Sequence, residues 1–263
     1  NHIRLYLSEK LKNNYFNLYI ETMNWLYTES HYLFYLIGSF LFYNMYFVTD
    51  LILTAYNENY IKLNDDKKMY AVSNLLKSVQ LGLMTPLAGY VLFDSMYNNH
   101  WENTLIKNLG VLYAMPDTIS LIKVKKMDLT TKIHHVVVCL FNVASIHNDY
   151  NHNNIVRCLL IYAVFSTFAF IVNFMLGVRF LHTNKNIDRM LSRCSFYIYT
   201  MCCMINWIWH YFYVSELYGE CETTGCKIGI STYIFLVGTI AIDDIKLNKW
   251  LFKKSEFLVL KAE

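Results

Sequence analysis

Two adjacent histidines, His134 and His135, open an apolar run in the segment TTKIHHVVVCLF and are the chain's best candidates for chemistry. An imidazole titrates near neutral pH, so it can act as a general base or as a nucleophile. Two more ionisable residues, Lys77 and Asp117, also lie within apolar stretches. Ionisable groups in apolar sequence are costly unless they face water or a bundle interior, so they mark a candidate functional site.

The composition of the whole chain defines the surroundings of these four residues. Hydrophobic residues make up 55% of the 263 residues and charged residues 16%, whereas about a quarter of an ordinary soluble domain is charged. Long apolar stretches recur with short charged interruptions between them. This pattern indicates an all-α membrane protein.

Seven stretches are candidates for membrane-spanning helices, each of which needs about 20 residues to cross a bilayer. Lysine and arginine concentrate in alternate connections and in the C-terminal tail. The positive-inside rule then predicts seven transmembrane helices with the N-terminus outside or lumenal and the C-terminus cytosolic. The predicted spans cover residues 31–56, 69–93, 105–122, 133–147, 155–181, 196–214 and 228–245.

This topology divides the chain into three parts. We expect an N-terminal interfacial segment over 1–30, a seven-helix transmembrane domain over 31–245 and a basic cytosolic tail over 246–263. Cys221 and Cys226 lie in a connection expected on the lumenal side. A CxxxxC pair in an oxidising compartment predicts a disulfide.

Helical spacing shows which polar residues of the fourth span can share a face. His135, Cys139 and Asn142 recur at i, i+4 and i+7, whereas His134 is displaced by about 100°. We therefore favour His135 over His134 as the catalytic residue and include Asn142 among the candidate substrate contacts.

Other spans carry polar residues at a comparable depth in the cytosolic half of the predicted bundle. Tyr113 precedes Asp117 by one helical turn on the third span, Lys77 lies on the second and Asn173 on the fifth. Such residues can be mere hydrogen-bonding contacts between helices. Their shared depth instead favours one cavity, in which Lys77, Asn142, Asn173 and Tyr113 would contact substrate.

The segment GVLYAMPDTISLIKVKKMDLTTKIHHVVV resembles the central part of the TLC-domain family, which includes the ceramide synthases. In that family a helix with an aromatic residue and an aspartate precedes a basic connection and a helix that opens with His-His. Here those elements are Tyr113, Asp117 and the pair His134 and His135. The resemblance covers roughly 65–250 and implies a TLC-like bundle in the endoplasmic reticulum or a related endomembrane.

The resemblance also implies a reaction, acyl transfer from acyl-CoA to a lipid amine or alcohol. His135 would be the base or the acyl-accepting nucleophile, His134 its partner or an oxyanion contact, and Asp117 would fix the imidazole tautomer. Lys77 and the lysines of 123–132 would hold the CoA phosphates. We expect acyl-CoA as co-substrate and no permanently bound cofactor or metal, because adjacent histidines on one helix cannot both bind one ion from the same face.

The chain departs from the ceramide synthases on the helix that follows the histidines. Those enzymes carry a pair of aspartates there, and this chain has no acid. Less characterised TLC proteins often have Asn-x-Arg at this place; this chain keeps Asn173 but has Met175 in place of the arginine. The resemblance is therefore closer to those proteins, and the reaction stays open.

Two alternatives to an acyltransferase remain. The first is a non-catalytic lipid-binding protein, and the second is a seven-helix channel or receptor. A retinal protein would need a lysine midway along the last span, which has only Lys227 and Lys246 at its ends. The expected partners are membrane lipids, with an acyl chain in an intramembrane cavity; we expect no nucleic acid and allow for a homodimer.

Overall fold

The computed structural model describes residues 25–260, and the side chains of 25–255. The predicted interfacial segment therefore lies outside the described residues up to residue 24. The described helices of four or more residues are α1 (His31–Tyr56), α2 (Glu58–Ile61), α3 (Asp65–Tyr97), α4 (Asn103–Lys123), α5 (Leu129–His147), α6 (Arg157–Thr167), α7 (Phe170–Val178), α8 (Lys185–Glu220) and α9 (Thr224–Leu260).

The protein is all-helical over the described residues, and several helices suit a membrane. Helices α1, α3, α5 and α9 are long and apolar enough to cross a membrane, and the pair α6 and α7, bent by 42°, provides a fifth candidate. Helices α4 and α8 coincide with the other two predicted spans but fall outside this group. In α4, polar residues such as Asn108 and Asp117 lie within the helix.

The predicted boundary between the last span and a cytosolic tail at residue 245 stays a prediction, and it falls within a helix rather than at its end. Helix α9 continues without a break to Leu260. Leu247 and Leu251 lie one turn apart on its inner face and pack against Val172 and Met175 of α7. The lysines from Lys246 onward had indicated a basic tail, and this apolar contact packs the first turns of that segment against the ring.

Six helical units form a closed ring around the centre of the protein. Helix α3 packs on α4, α4 on α5, α5 on α9 and α9 on α8, and the broken pair α6 and α7 closes the ring between α8 and α3. Helix α1 packs outside this ring, against α3 and α4. The basic connections lie at one end of the ring, because they contact one another: Lys126 pairs with Asp66, Lys246 lies 3.7 Å from Asp128, and Asn57 donates to the Leu181 carbonyl.

The distribution of polar and apolar side chains is inverted relative to a soluble protein. On α1, Phe40 and Phe47 are 67% and 65% exposed. In the interior, Asn108 and Asp117 of α4 are completely buried. Exposed apolar surface of this extent on a long helix is typical of contact with lipid, so the ring encloses the polar groups.

A proline in α4 creates a contact between α3 and α4. Pro116 has no N–H, so the carbonyl oxygen of Leu112 lacks its usual helical donor. The side-chain amide of Gln80 on α3 donates a hydrogen bond to this oxygen. The carbonyl oxygen that the proline leaves without a helical donor is thereby paired by a side chain of the neighbouring helix.

The end of the ring opposite the basic connections contains neutral hydrogen-bond networks. Asn108 accepts a bond from His31 Nδ1 at 2.8 Å and donates to the carbonyl of Thr28. His210 Nδ1 donates to the Asn206 carbonyl at 2.7 Å, and the Tyr233 hydroxyl donates to His210 Nε2 at 2.9 Å.

A disulfide lies at the same end of the ring. Cys221 and Cys226 are joined, with their Cα atoms 5.9 Å apart, where α8 ends and α9 begins. It closes a short loop, so it ties the end of α8 to the start of α9.

Candidate functional site

A cavity of about 440 Å³ lies within the ring and reaches the end that carries the basic connections. Side chains from α3, α4, α5, α6, α7, α8 and α9 all line it. Its polar lining includes Ser73, Asn74, Lys77, Thr131, His134, His135, Ser166, Asn173, Arg179, Asp243 and Asp244.

Asp117 is the centre of an ionic cluster in the cavity wall. The carboxylate is completely buried, and Lys77 Nζ donates a hydrogen bond to its Oδ1 atom. His135 Nδ1 lies 2.9 Å from the same oxygen. Because the Nδ1 side of the ring faces Asp117, Nε2 is the nitrogen of His135 that remains for a ligand.

His134 has a carboxylate partner of its own. Its Nδ1 atom lies 3.3 Å from Asp243 Oδ2, and the Thr131 hydroxyl donates to the other oxygen of Asp243 at 3.0 Å. The rings of His134 and His135 are 5.6 Å apart, edge to face. Adjacent residues point about 100° apart on a helix, so one histidine faces α4 and the other faces α9.

A second acid follows Asp243 directly. Asp244 is 4% exposed, and its two oxygens accept hydrogen bonds from Tyr162 at 3.1 Å and Tyr199 at 2.7 Å. The helix after the histidines indeed lacks an acidic pair, but α9 brings one into the same cavity. Neither aspartate was among the residues predicted for the site.

Arg179 is the other cavity residue that sequence reasoning missed. Its guanidinium lies against three aromatic rings, 4.6 Å from the centroid of Phe180, 5.0 Å from Trp250 and 5.6 Å from Tyr70. Its Nε atom is buried without a hydrogen-bond partner. Among the described side chains, no carboxylate lies within 4.0 Å of this cation.

Most of the predicted site residues meet at this cavity. Lys77, Tyr113, Asn173 and both histidines line it, and Asp117 lies directly behind Lys77 and His135. The Asn173 amide also donates to the Ala169 carbonyl at 3.0 Å.

The prediction that Asn142 belongs to the same cavity is wrong. Asn142 is buried and lines a separate, mainly apolar cavity of about 50 Å³. It shares a helix face with His135, but seven residues separate them by about 10 Å along the axis. Tyr113 and Tyr162 line both cavities and form the wall between them.

Charged side chains surround the opening of the main cavity. Lys126 is 2.7 Å from Asp66, and Lys246 is 3.7 Å from Asp128. A hydrogen bond from the Thr130 hydroxyl, assisted by the nearby Lys246 ammonium, lowers the pKa of Asp128. These pairs add little stability because the lysines are exposed, but they place two cations at the cavity opening.

The arrangement suits acid-base chemistry. Each histidine has a carboxylate near Nδ1, at 2.9 Å for His135 and 3.3 Å for His134, which leaves Nε2 of each ring for proton exchange with a ligand. Over the described part of the chain, no group of three or more His, Cys, Asp or Glu side chains is placed to hold a metal ion.

No family model, curated protein or solved structure matches this chain. Its function is therefore inferred from the geometry of the cavity.

Proposed function

We propose that this protein is an integral membrane acyltransferase of the TLC type, with seven spans, a lumenal N-terminus and a cytosolic C-terminus. It would reside in the endoplasmic reticulum or a related endomembrane and transfer an acyl group from acyl-CoA to a lipid amine or alcohol. Support for the membrane topology comes from the helical ring, the exposed apolar faces and the basic connections at one end.

The observation that carries the proposal is the His135 and Asp117 pair in the wall of a polar cavity. The 2.9 Å approach of His135 Nδ1 to Asp117 leaves Nε2 as the base. A histidine oriented by a buried carboxylate is the arrangement that acyl-transfer sites on unrelated folds use to remove a proton from a nucleophile.

The reaction follows from these positions. His135 Nε2 takes the proton of the acceptor amine or hydroxyl, and the acceptor atom attacks the thioester carbonyl. The oxyanion that forms is stabilised by an N–H of His134, whose position is set by Asp243. The carbon–sulfur bond then breaks, and the proton held by His135 passes to the departing CoA sulfur.

We assign the binding of the CoA phosphates to residues at the cavity opening. Lys77 was the predicted phosphate contact, but its ammonium is paired with Asp117. Lys126 and Lys246 line the same cavity and are exposed at its opening. They are therefore the better candidates, and Lys77 instead holds Asp117 in its charged form.

The test is the change His135→Ala in purified protein supplied with labelled acyl-CoA and a membrane lipid extract. Loss of a general base costs about 10²- to 10⁴-fold in rate, so formation of acylated lipid and release of free CoA should fall together. His152→Ala, which changes an exposed loop histidine, is the matched control. Equal product formation by the wild type and His135→Ala would refute the proposal.

A second candidate is a lipid-binding protein without catalytic activity. It is favoured by one contact, since Lys77 and His135 share the same oxygen of Asp117. A carboxylate that is neutralised by lysine supports a basic histidine less strongly. In that case the wild type would retain a bound lipid but release no CoA from acyl-CoA.

A further inference from the structure

The charged groups of the main cavity that lack a charged partner are the basis of a further inference. Lys77, His134 and His135 each have an opposite charge within 4.0 Å. Arg179 and Asp244 line the same cavity, and neither is in an ion pair among the described residues. Asp244 is buried and Arg179 is partly buried, and a charge withdrawn from water is costly unless it is paired, so a ligand is the natural partner of each.

The surroundings of Arg179 suit an anion. Three aromatic rings lie around the guanidinium, and rings supply no hydrogen-bonding oxygen that would compete with an anion. The buried Nε atom has no partner. A planar guanidinium of this kind binds phosphate through two parallel hydrogen bonds.

The surroundings of Asp244 suit a small cation. Tyr162 and Tyr199 each donate one hydrogen bond to the carboxylate. Each carboxylate oxygen can accept two bonds, so both keep capacity for a further donor. A primary ammonium group supplies up to three donors and one positive charge.

Arg179, at the end of α7, and Asp244, on α9, are related through Trp250. The Arg179 guanidinium lies 5.0 Å from the ring of Trp250, and Trp250 follows Asp244 by six residues, an axial rise of about 9 Å along α9. An axial offset of this size is on the order of the span of one molecule with a phosphate at one end and an ammonium at the other.

We propose that the cavity binds a phosphoalkylamine headgroup, with its phosphate on Arg179 and its primary ammonium on Asp244. The source is a membrane phospholipid such as phosphatidylethanolamine, or the free headgroup phosphoethanolamine. The inference rests on the proposed function only for the use of this ligand as acyl acceptor; binding itself requires no reaction.

The test measures equilibrium binding to the purified full chain in detergent, without acyl-CoA. The ligands are phosphatidylethanolamine, phosphatidylglycerol, a long-chain primary amine and soluble phosphoethanolamine. Each charge-assisted contact corresponds to about a tenfold change in affinity. Phosphatidylethanolamine should therefore bind about tenfold more tightly than phosphatidylglycerol, which lacks the amine, and than the long-chain amine, which lacks the phosphate.

Substitution of Arg179 and Asp244 tests which residue contacts the phosphate and which contacts the ammonium. Arg179→Gln should abolish the preference for phosphatidylethanolamine over the long-chain amine, and Asp244→Asn the preference over phosphatidylglycerol. Arg193→Gln and Glu216→Gln change exposed residues of the same charge on α8 and should have no effect. Arg179→Lys and Asp244→Glu keep the charges and replace any variant that fails to fold.

The outcomes separate the possibilities. Tight binding of soluble phosphoethanolamine would identify the free headgroup as the source, and weak binding would identify the lipid. Equal affinity of the wild type for all three lipids would overturn the inference. The binding measurement uses no acyl-CoA, so its result stands whether or not His135→Ala loses acyl transfer, and failure of the two proposals can be distinguished.

Discussion

Three histidines of this protein are buried to the same extent but have different partners. His31, His135 and His210 are each 8% exposed. His135 faces a carboxylate and a cavity, whereas His31 contacts an amide, with the exposed Glu29 carboxylate 4.0 Å from its Nε2 atom, and His210 contacts a backbone carbonyl and a tyrosine. Burial of a polar side chain therefore does not distinguish a site from a structural contact, but an ionic partner beside open space does.

The two ends of the ring differ in the same way. Near the basic connections, ionisable groups surround a cavity of about 440 Å³. Towards the other end, a cavity of about 50 Å³ has a mainly apolar lining, in which Ser145 and Tyr150 form a neutral hydrogen bond. Neutral hydrogen-bonded groups cost less free energy to bury than charges do, so the second end favours stability. The charged end keeps the desolvation cost of its ionisable groups, which is typical of a functional site.

Removal of the charge at the centre of the ionic cluster should have the largest effect on stability. Asp117→Asn leaves Lys77 buried opposite a neutral amide, and breaking a buried pair in this way costs about 3–5 kcal/mol. The free energy of unfolding, measured in detergent with a chemical denaturant, should fall by this amount, and acyl transfer should be lost.

A double variant separates charge from packing. Lys77→Met combined with Asp117→Leu removes both charges and should recover most of the lost stability without recovering activity. If the double variant is as unstable as Asp117→Asn alone, then the cluster does not act through its charges and the contrast between the two ends is weakened.

A smaller loss is expected from the neutral end. Asn108→Ala removes the partner of His31 Nδ1 and of the Leu26 and Thr28 carbonyls. Leaving buried polar groups unpaired costs about 1–3 kcal/mol. The melting temperature should decrease, while the rate of acyl transfer per folded molecule should stay at the wild-type value. A loss of specific activity would show that this end also takes part in function.

The smallest effect should come from a single hydroxyl. Tyr233→Phe keeps the stacked ring but removes the hydrogen bond to His210 Nε2, which costs about 1 kcal/mol. Denaturant midpoints of the wild type and the variant give this difference. A change in lipid binding or acyl transfer would contradict a purely structural role of His210.

The sequence allowed us to predict contacts between helices that are consecutive in the chain. It did not allow us to predict which helices far apart in the chain pack together. Asp117 and His135 lie on consecutive helices, and a short connection brings their depths together. Asp243 is more than a hundred residues after His134, and its contact depends on α9 packing against α5. Periodicity describes the angle around one axis, so it could not show that neighbour.

The prediction for Asn142 fails for a related reason. His135 and Asn142 lie on the same face of the helix, and the prediction assumed that residues on one face reach the same cavity. A cavity also has a limited length along the helix axis. Tyr113 and Tyr162 close the main cavity before the level of Asn142. The volumes of two side chains on other helices decide this, and no pattern within the fourth span contains that information.

The carbonyl left without its donor by Pro116 has a consequence for the geometry of the site. Gln80 and Lys77 are about 4.5 Å apart along α3, and they hold α4 at two levels, through Leu112 and Asp117. Two attachments at different levels restrict both translation and rotation of α3 relative to α4. These contacts also fix the ammonium of Lys77, whose long side chain would otherwise extend towards water. The depth of the site within the bundle is thereby fixed.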